Sequence, residues 1–300
     1  MYSSTFVLLI GAIIFGLNVD GAANEGDSFN SKIRFYQGPT VDDFVTYDLT
    51  AAENVVDDPN FKFVRRNVIF IHGWQQSPDS PASQTLFNAY LVNGSFNILA
   101  LDWSETASNI FLDQVAHKIE TLGIAVALFI ERWNLQKGIS FSTMHLVGHS
   151  LGAHLAGSTG KNIQEWSNQT KYIDRITGLD PAFIADDFLQ WRYARFVDII
   201  HTDPNLAGTK KNTGHVDFWP NDGDDIQPGC PSRLFQLLCS HWRAILLYAE
   251  SVTRAYRAGN FLSTNKDNAS DVIEMGLNCP RNARGVYSLS TNGESLYSQS

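Results

Sequence analysis

The sequence predicts an α/β protein in which a central, mostly parallel sheet is flanked by helices. Along the 300-residue chain, short apolar runs rich in β-branched residues alternate with longer segments of helical periodicity. Residues 68–71 are continuously apolar, as is typical of a strand buried on both faces of a parallel sheet. With 44% hydrophobic and 18% charged residues, the chain has enough apolar material for one large core.

The predicted elements follow one another in the order expected of βαβ units. Strands are predicted over residues 68–71, 97–103, 143–147, 173–179 and 196–200. Helical spacing of apolar residues predicts helices over residues 107–133, 151–163 and 239–256. The polar segment 258–270 is predicted to be a loop, and residues 284–290 an edge strand. We find no internal repeat and expect residues 24–300 to form one domain.

The N-terminus has the features of a secretory signal peptide. Residues 6–17 form an apolar run that is too short to span a bilayer, and small residues follow it at positions 21–23. No Lys or Arg precedes the run, so a signal anchor or a buried first helix is the alternative. Because polar chain follows at once, we expect residues 1–23 to be a cleaved signal peptide of a secreted protein. No later segment is apolar enough to predict a transmembrane helix.

Cysteine and glycosylation patterns agree with an extracellular protein. Of the three cysteines, Cys230 and Cys239 are close enough in sequence to form a disulfide, and Cys279 has no evident partner. Three Asn-x-Ser/Thr sequons are candidate glycosylation sites. They begin at Asn93, Asn168 and Asn268.

The charge of the chain limits its partners. The net charge is −9, without long runs of like charge, which argues against nucleic acid because phosphate binding needs a face of Lys and Arg. An acidic protein can still bind a lipid surface, because insertion of apolar side chains supplies the binding.

Residues 148–152 read Gly-His-Ser-Leu-Gly, the G-x-S-x-G pattern of a nucleophile elbow. In such an elbow the serine lies on a tight turn between a strand and a helix, and the two glycines let both approach. Here predicted strand 143–147 precedes the motif and predicted helix 151–163 follows it. We therefore predict an α/β-hydrolase fold with Ser150 as nucleophile, and an ordinary glycine-rich turn is the alternative.

A serine nucleophile needs a base and an orienting acid, and this fold class orders them Ser, Asp or Glu, then His. Asp180 follows predicted strand 173–179, which places it at the carboxyl edge of the sheet, although a solvated turn aspartate is the alternative. His215 and His241 are the base candidates downstream. We favour His241, because it follows Cys239 by two residues and a disulfide between Cys230 and Cys239 would fix its position. His215 remains the alternative base.

An oxyanion hole needs a second backbone donor besides the residue after the nucleophile. His72-Gly73-Trp74 follows the buried strand 68–71, where such a donor is found in this fold class. The N–H groups of Trp74 and Leu151 are the candidate pair, and a plain glycine turn is the alternative.

Taken together and in this order, the motifs resemble those of the pancreatic lipase family. The matching segments are residues 72–74, 148–153, 178–182, 196–203, 217–221 and 227–241, within a resemblance that covers about residues 35–295. The resemblance implies hydrolysis of lipid esters by a triad of Ser150, Asp180 and His241. It also implies an oxyanion hole of Trp74 and Leu151, and it selects His241 from the two base candidates.

The chain departs from the family in features that affect the substrate. The cysteines matching Cys230 and Cys239 bracket a long lid in pancreatic lipase, but here they enclose only residues 231–238. We expect no C-terminal β-sandwich domain. The short bridge resembles that of venom-type phospholipases A1 and related insect lipases, and it implies an open cleft that admits polar headgroups. The sequence supports two substrate classes equally. One is phospholipid, and the other is triacylglycerol or galactolipid.

Several residues of this short bridge are candidates for lipid contact. They are Leu234, Phe235, Leu237 and Leu238. We expect them to touch a membrane or emulsion surface that presents the lipid ester substrate, and packing against the protein body is the alternative.

We expect no metal, no cofactor and no stable protein partner. The positions that correspond to the calcium ligands of some family members are Gln190 and Tyr193, and this stretch offers few of the oxygen ligands that calcium needs. The second functional hypothesis is a non-catalytic lipid-binding or yolk-type protein on the same fold. Such relatives typically lose the nucleophile, which this chain retains.

Overall fold

The computed structural model describes residues 30–184, 188–224, 226–232 and 238–299. An 11-stranded sheet forms its centre. In chain order the strands are β1 Lys32–Tyr36, β2 Phe44–Asp48, β3 Arg66–Ile71, β4 Phe96–Asp102, β5 Met144–His149, β6 Arg175–Leu179, β7 Val197–Ile200, β8 Val216–Pro220, β9 Leu262–Asn265, β10 Val272–Glu274 and β11 Gly285–Leu289.

Helices connect these strands. In chain order they are α1 Pro81–Asn93, α2 Ser104–Ala107, α3 Leu112–His117, α4 Ile119–Lys137, α5 Leu151–Trp166 and α6 Cys239–Thr253. Short 3-10 helices cover Leu49–Asp57, Phe141–Thr143, Trp191–Tyr193 and Asn221–Gly223.

The middle of the sheet is parallel and its two ends are antiparallel. The strands lie in the order β10-β9-β11-β8-β7-β6-β5-β3-β4-β1-β2. Strands β11 through β4 in this order pair in parallel, whereas the hairpins β9–β10 and β1–β2 extend the sheet by antiparallel pairing. Each parallel strand therefore ends at the same edge of the sheet, which we call the carboxyl edge.

Two hydrophobic cores cover the two faces of the sheet. In β3, Val68 and Phe70 pack into one core with side chains of α1 and α6, while Ile69 and Ile71 pack into the other with side chains of α4 and α5. Successive side chains of a strand point to opposite faces, so a continuously apolar strand is covered on both sides. The predicted fold class, an α/β-hydrolase fold with a mostly parallel sheet between helices, is confirmed.

The helix predicted over residues 107–133 is wrong as a single element. The chain forms three helices there, with a break between α2 and α3. At the break, the side chain of Asn109 accepts a hydrogen bond from the N–H of Phe111 at 2.9 Å. Asparagine offers the backbone this local alternative to the helical ladder, so the apolar periodicity continued across a point where the helix ends.

The C-terminal region also differs from its prediction. Segment 258–270 contains β9, a strand too short and polar for its pattern to stand out. Residues of β11 pair with β8 on one side and with β9 on the other, so β11 is an interior strand rather than an edge strand. The hairpin β9–β10 occupies the edge in its place.

Candidate active site

Ser150 and Asp180 follow neighbouring parallel strands at the carboxyl edge. The last residues of β5 and β6, His149 and Leu179, are paired in the register of the sheet. The backbone N–H of Ser150 donates to the carbonyl oxygen of Leu179 at 3.0 Å. The fold thus places the predicted nucleophile and the predicted acid side by side, where active sites of α/β proteins assemble.

Ser150 occupies a strained turn between β5 and α5. Its backbone angles are φ 56° and ψ −122°, a conformation that residues other than glycine rarely adopt. Gly148 lets β5 and α5 approach, because a Cβ atom there would collide with the carbonyl oxygen of Gly152. Gly152 lets α5 approach the end of β3, because a Cβ atom there would collide with the carbonyl oxygen of Ile71. The turn has the geometry of a nucleophile elbow and leaves Ser150 at a helix N-terminus, where backbone N–H groups favour an anion.

Asp180 is fully buried and binds His241 directly. The Nδ1–H of His241 donates to the Oδ2 atom of Asp180 at 2.6 Å. The other carboxylate oxygen accepts the N–H groups of Thr202 at 2.8 Å and of Asp203 at 3.1 Å. Three hydrogen bonds therefore compensate for burying this carboxylate. With its Nδ1 held by Asp180, the imidazole keeps Nε2 for another partner.

His241 lies beside the elbow without a direct hydrogen bond to the serine. Its ring centroid is 4.5 Å from that of His149, the neighbour of Ser150. Among the described residues, the Ser150 hydroxyl makes no hydrogen bond with His241. Hydrogen bonds of catalytic groups often tighten only when substrate binds, so this apo geometry is compatible with a nucleophile and its base.

Trp74 and Leu151, the predicted oxyanion donors, belong to two segments that meet at Ser150. Leu151 is the first residue of α5, where an N–H has no acceptor within the helix. The loop after β3 approaches closely, since a Cβ atom on Gly73 would lie 2.8 Å from the Cβ atom of Ser150. The indole Nε1–H of Trp74 donates to the carbonyl oxygen of Asn109 at 2.7 Å and ties this loop to the one after β4.

Sequence reasoning missed two buried residues that connect these parts. The carbonyl oxygen of the Gln76 side chain lies 2.8 Å from Nδ1 of His149 and accepts the N–H of Gly73 at 2.8 Å. Nε2 of His149 faces the carbonyl oxygen of His241 at 3.1 Å. His149 precedes Asp180, so chain order excludes it as the base and gives it no other role, and no signal in the sequence points to Gln76.

The other histidine candidate, His215, lies away from the site. It precedes β8 and therefore sits at the opposite edge of the sheet from Ser150. Its Nδ1 accepts a hydrogen bond from the N–H of Val197 at 3.0 Å, and its ring stacks on Phe196. His215 thus contacts the start of β7 and is not part of the candidate active site.

A disulfide joins Cys230 to Cys239, the first residue of α6. This bond anchors the start of the helix that carries His241. Of the residues expected to contact lipid, Leu234, Phe235 and Leu237 fall outside the described residues. Leu238 is described and lies partly buried before α6.

Exposed apolar side chains occur in the loops on both sides of the elbow. The loop after β4 is the most apolar, with Ile110 exposed by 73% and Phe111 by 55%. Phe183, in the loop after β6, is 70% exposed, and its N–H donates to the carbonyl oxygen of Ala207 in the loop after β7. Further exposed members are Leu112, Leu206 and Ile226. Since β4 and β6–β8 flank β5, Ser150 lies between apolar loops.

The described residues contain neither a metal-ligand group nor a helix that could span a membrane. Across residues 30–299, apart from the gaps named above, no group of three His, Cys, Asp or Glu side chains is arranged to hold a metal ion. In the same residues, every helix is too short or too polar to cross a bilayer.

The chain is similar to known proteins over most of its length. The family model described as Lipase matches residues 19–293. Lipase member H of Xenopus tropicalis is 30% identical over 247 residues, which are 76% of this chain and 52% of that protein. Pancreatic triacylglycerol lipase of Sus scrofa is 33% identical over 233 residues, which are 68% of this chain and 50% of that protein. The chain thus spans about half the length of the curated relatives it matches.

Among solved structures, one match is the bacterial brefeldin A esterase, described as a homologue of human hormone sensitive lipase. The alignment covers 59% of this chain and 48% of that one, at 14% identity and a TM-score of 0.30.

Proposed function

Since the chain belongs to the lipase family, we propose that it hydrolyses carboxylic esters of lipids with Ser150 as its nucleophile. The observation that carries this proposal is the buried pair of Asp180 and His241 beside a strained serine elbow. A structural serine would not need a positive φ, and a structural aspartate is usually paired with a group of fixed charge. Strained backbone and buried titratable pairs of this kind concentrate at active sites.

The proposed mechanism is acyl transfer in two steps. Ser150 attacks the ester carbonyl carbon while Nε2 of His241 takes the hydroxyl proton. Asp180 accepts the Nδ1–H of His241, which fixes the tautomer and stabilises the imidazolium that forms. His241 then gives its proton to the leaving alcohol, and an acyl-enzyme remains. Water repeats the sequence on the acyl-enzyme and releases the fatty acid and Ser150.

The tetrahedral intermediate places a negative charge on the former carbonyl oxygen. In the proposed mechanism this oxyanion accepts hydrogen bonds from the N–H groups of Trp74 and Leu151. Both groups belong to segments that approach Ser150 closely, which supports this role. Loss of one oxyanion donor typically lowers kcat by about 10²–10³.

The apolar loops around the elbow support a lipid surface as the place of reaction. Ile110 and Phe111 are adjacent and exposed, and so is Phe183 on the other side of β5. Exposed apolar runs in the loops around a polar site are a feature of proteins that bind a membrane or another apolar partner. We propose that these loops, together with the short bridge between Cys230 and Cys239, contact the lipid surface.

The substrate class is defined less narrowly than the reaction type. The disulfide encloses a short segment, residues 231–238, which supports an open cleft. An open cleft suits phospholipid headgroups, so phospholipase A1-like activity and neutral lipase activity both remain in the proposal. The disulfide also agrees with an oxidising compartment, and we propose that the protein is secreted after removal of residues 1–23.

The test is fatty-acid release by the purified protein from phosphatidylcholine vesicles and from a triacylglycerol emulsion. We expect release from at least one lipid and its loss in Ser150→Ala. Release by Ser150→Ala at the wild-type rate would contradict the nucleophile. No release from either lipid, with lipid binding retained, would favour a non-catalytic lipid-binding protein.

A matched pair of surface variants tests the lipid-facing loops. Ile110→Ser with Phe111→Ser changes the loop after β4, and Phe63→Ser with Val64→Ser changes exposed apolar residues before β3, at the opposite edge. We expect only the first pair to reduce release from vesicles, by about 10-fold or more, with little change on a short-chain soluble ester. Equal loss in both pairs would contradict a lipid-facing carboxyl edge.

A further inference from the structure

Two buried side chains link the loop after β3 to the last residue of β5. Gln76 accepts the N–H of Gly73 through its Oε1 atom at 2.8 Å, and the same oxygen lies 2.8 Å from Nδ1 of His149. His149 is 1% exposed and Gln76 is 9% exposed, so water does not compete for these contacts. The amide oxygen therefore joins a backbone N–H of one segment to a side chain of the other.

The direction of the second hydrogen bond follows from the first. A backbone N–H can only donate, so the Gln76 atom next to Gly73 is the amide oxygen rather than the nitrogen. Burial, assisted by nearby His241, lowers the pKa of His149 well below its usual value, so the ring is neutral near pH 7 and has a single N–H. Both ring nitrogens face an oxygen, and an oxygen can only accept. The contact of Nδ1 with Gln76, at 2.8 Å, is shorter than that of Nε2 with the His241 carbonyl oxygen, at 3.1 Å, so we assign the proton to Nδ1.

The loop that this bridge holds is strained. Gln75 has φ 55°, in the left-handed region that favours glycine. Such a conformation is energetically unfavourable and persists only where neighbouring contacts impose it. The N–H of Gln75 donates to the carbonyl oxygen of Ala107 at 2.9 Å, and the Gln76–His149 bridge holds the other side of the turn. Gly73, the residue before Trp74, is thereby held against Ser150, since a Cβ atom on it would lie 2.8 Å from the Cβ atom of Ser150.

We propose that Gln76 and His149 are positioning residues that hold the Trp74 N–H in the oxyanion hole. The inference rests on the proposed function, because it assigns the two residues to the same acyl-transfer reaction. Neither side chain has to touch the substrate. They keep the Trp74 N–H aimed at the place where negative charge develops. This donor then lowers the activation barrier of acyl transfer without changing how the substrate binds in the ground state.

The bridge makes two substitutions at position 149 diagnostic. His149→Asn places an amide N–H near the position of Nδ1 and keeps the donor to Gln76. His149→Gln extends the amide toward the position of Nε2 and loses that donor. Hydrolysis of a short-chain soluble ester avoids any effect of lipid binding, and thermal unfolding checks that both variants fold.

We expect Gln76→Ala and His149→Gln to lower kcat by about 10- to 100-fold and to change KM by less than about 3-fold. The loss in kcat is smaller than that caused by complete removal of an oxyanion donor, because the Trp74 N–H is misplaced rather than absent. The double variant is expected to be no worse than the poorer single variant, because both changes break one bridge. His149→Asn is expected to stay within about 5-fold of wild type. Affinity for a boronic acid that forms a tetrahedral adduct should fall in parallel with kcat, whereas affinity for the product carboxylate should not.

Results that separate the two proposals are available in the same assay. A wild type that cleaves the ester, loses activity in Ser150→Ala and keeps it in Gln76→Ala would overturn the bridge and leave the nucleophile standing. Equal losses in His149→Asn and His149→Gln would also overturn the bridge. A wild type that cleaves neither the soluble ester nor lipid would instead overturn the proposed function.

Discussion

Two aspartates are completely buried on neighbouring strands, and their partners differ in kind. Asp198, in β7, binds Arg175 of β6 through two hydrogen bonds of 2.7 Å each. Thr177 donates a third at 2.9 Å. Asp180, which follows β6, receives two backbone N–H groups and the imidazole of His241. Both carboxylates are satisfied, but the partner of Asp198 is a guanidinium, whereas the partner of Asp180 is an imidazole, a side chain that can act as a base.

The Asp198 region shows how the fold buries a charge permanently. Burial opposes the charge of Arg175, but the attraction of Asp198 outweighs this and raises the pKa of the guanidinium further. Arg175 also donates to the carbonyl oxygens of Gly276 and Leu277, so it ties the segment before β11 to the sheet. A buried ion pair formed by an arginine is suited to holding chain segments together.

The Asp180 region has the opposite property. In the proposed mechanism His241 takes up a proton during acyl transfer, and Asp180 is placed to stabilise the charged form. This end of the sheet also contains the strained backbone, because Ser150 and Asp180 both have positive φ angles. Under the proposed function, one end of β6 serves stability and the other serves chemistry.

Asp180→Asn should produce the largest effect. The amide cannot hold the required tautomer of His241, and in serine hydrolases such a change lowers kcat by about 10⁴. We expect a loss of this size in the hydrolysis of a short-chain soluble ester, with a folded protein by circular dichroism. A loss below about 10-fold would contradict the role of Asp180 as the orienting acid.

Arg175→Met should affect stability where Asp180→Asn affects activity. It leaves Asp198 buried without its partner, a change that typically costs about 3–5 kcal/mol. Urea unfolding measures this loss, and the folded fraction should keep its rate of ester hydrolysis. The double variant Arg175→Met with Asp198→Leu is the control, and it should recover part of the stability. If activity fell while stability did not, the division between the two regions would be wrong.

A histidine in the Asp198 region gives a smaller effect that depends on pH. His145 Nε2 lies 2.8 Å from the hydroxyl of Thr177, and burial, assisted by Arg175, lowers the pKa of His145 well below its usual value. The folded protein then keeps His145 neutral, whereas the unfolded chain takes up a proton below about pH 6.5. Stability from this group is therefore present above pH 6.5 and lost as the pH falls below it.

His145→Gln tests this contribution. The difference in unfolding free energy between pH 7.5 and pH 5.5 should shrink by about 1.4 kcal/mol, since one fewer group takes up a proton on unfolding. Urea titrations at the two pH values measure it. An unchanged difference would mean that His145 is protonated in the folded protein.

The candidate site residues could be placed at one edge of the sheet from the sequence, whereas several of the surrounding elements could not be predicted. G-x-S-x-G at residues 148–152 is a local motif, and Asp180 follows a clear apolar strand, so chain order alone placed both at one edge. The structure brings the predicted acid and base into contact. It also places His215 at the far edge of the sheet, which chain order could not reveal.

What the sequence missed depends on contacts between distant segments. Gln76 and His149 are 73 positions apart, and a glutamine in a loop has no pattern that marks a buried partner. The hairpin β9–β10 was not predicted because its strands are short. The break before α3 was not predicted because the apolar periodicity continues across Asn109. In each case tertiary or local hydrogen bonds outweighed the hydrophobic pattern.

The most direct test of the central claim is covalent labelling of the purified protein with a fluorophosphonate, followed by mass spectrometry of its peptides. An activated serine attacks phosphorus and becomes phosphonylated, whereas ordinary serines do not. The account predicts one adduct, on Ser150, with labelling slowed strongly in Asp180→Asn and lost in Ser150→Ala. No adduct, or an adduct on another serine, would contradict the assignment of Ser150 as the nucleophile.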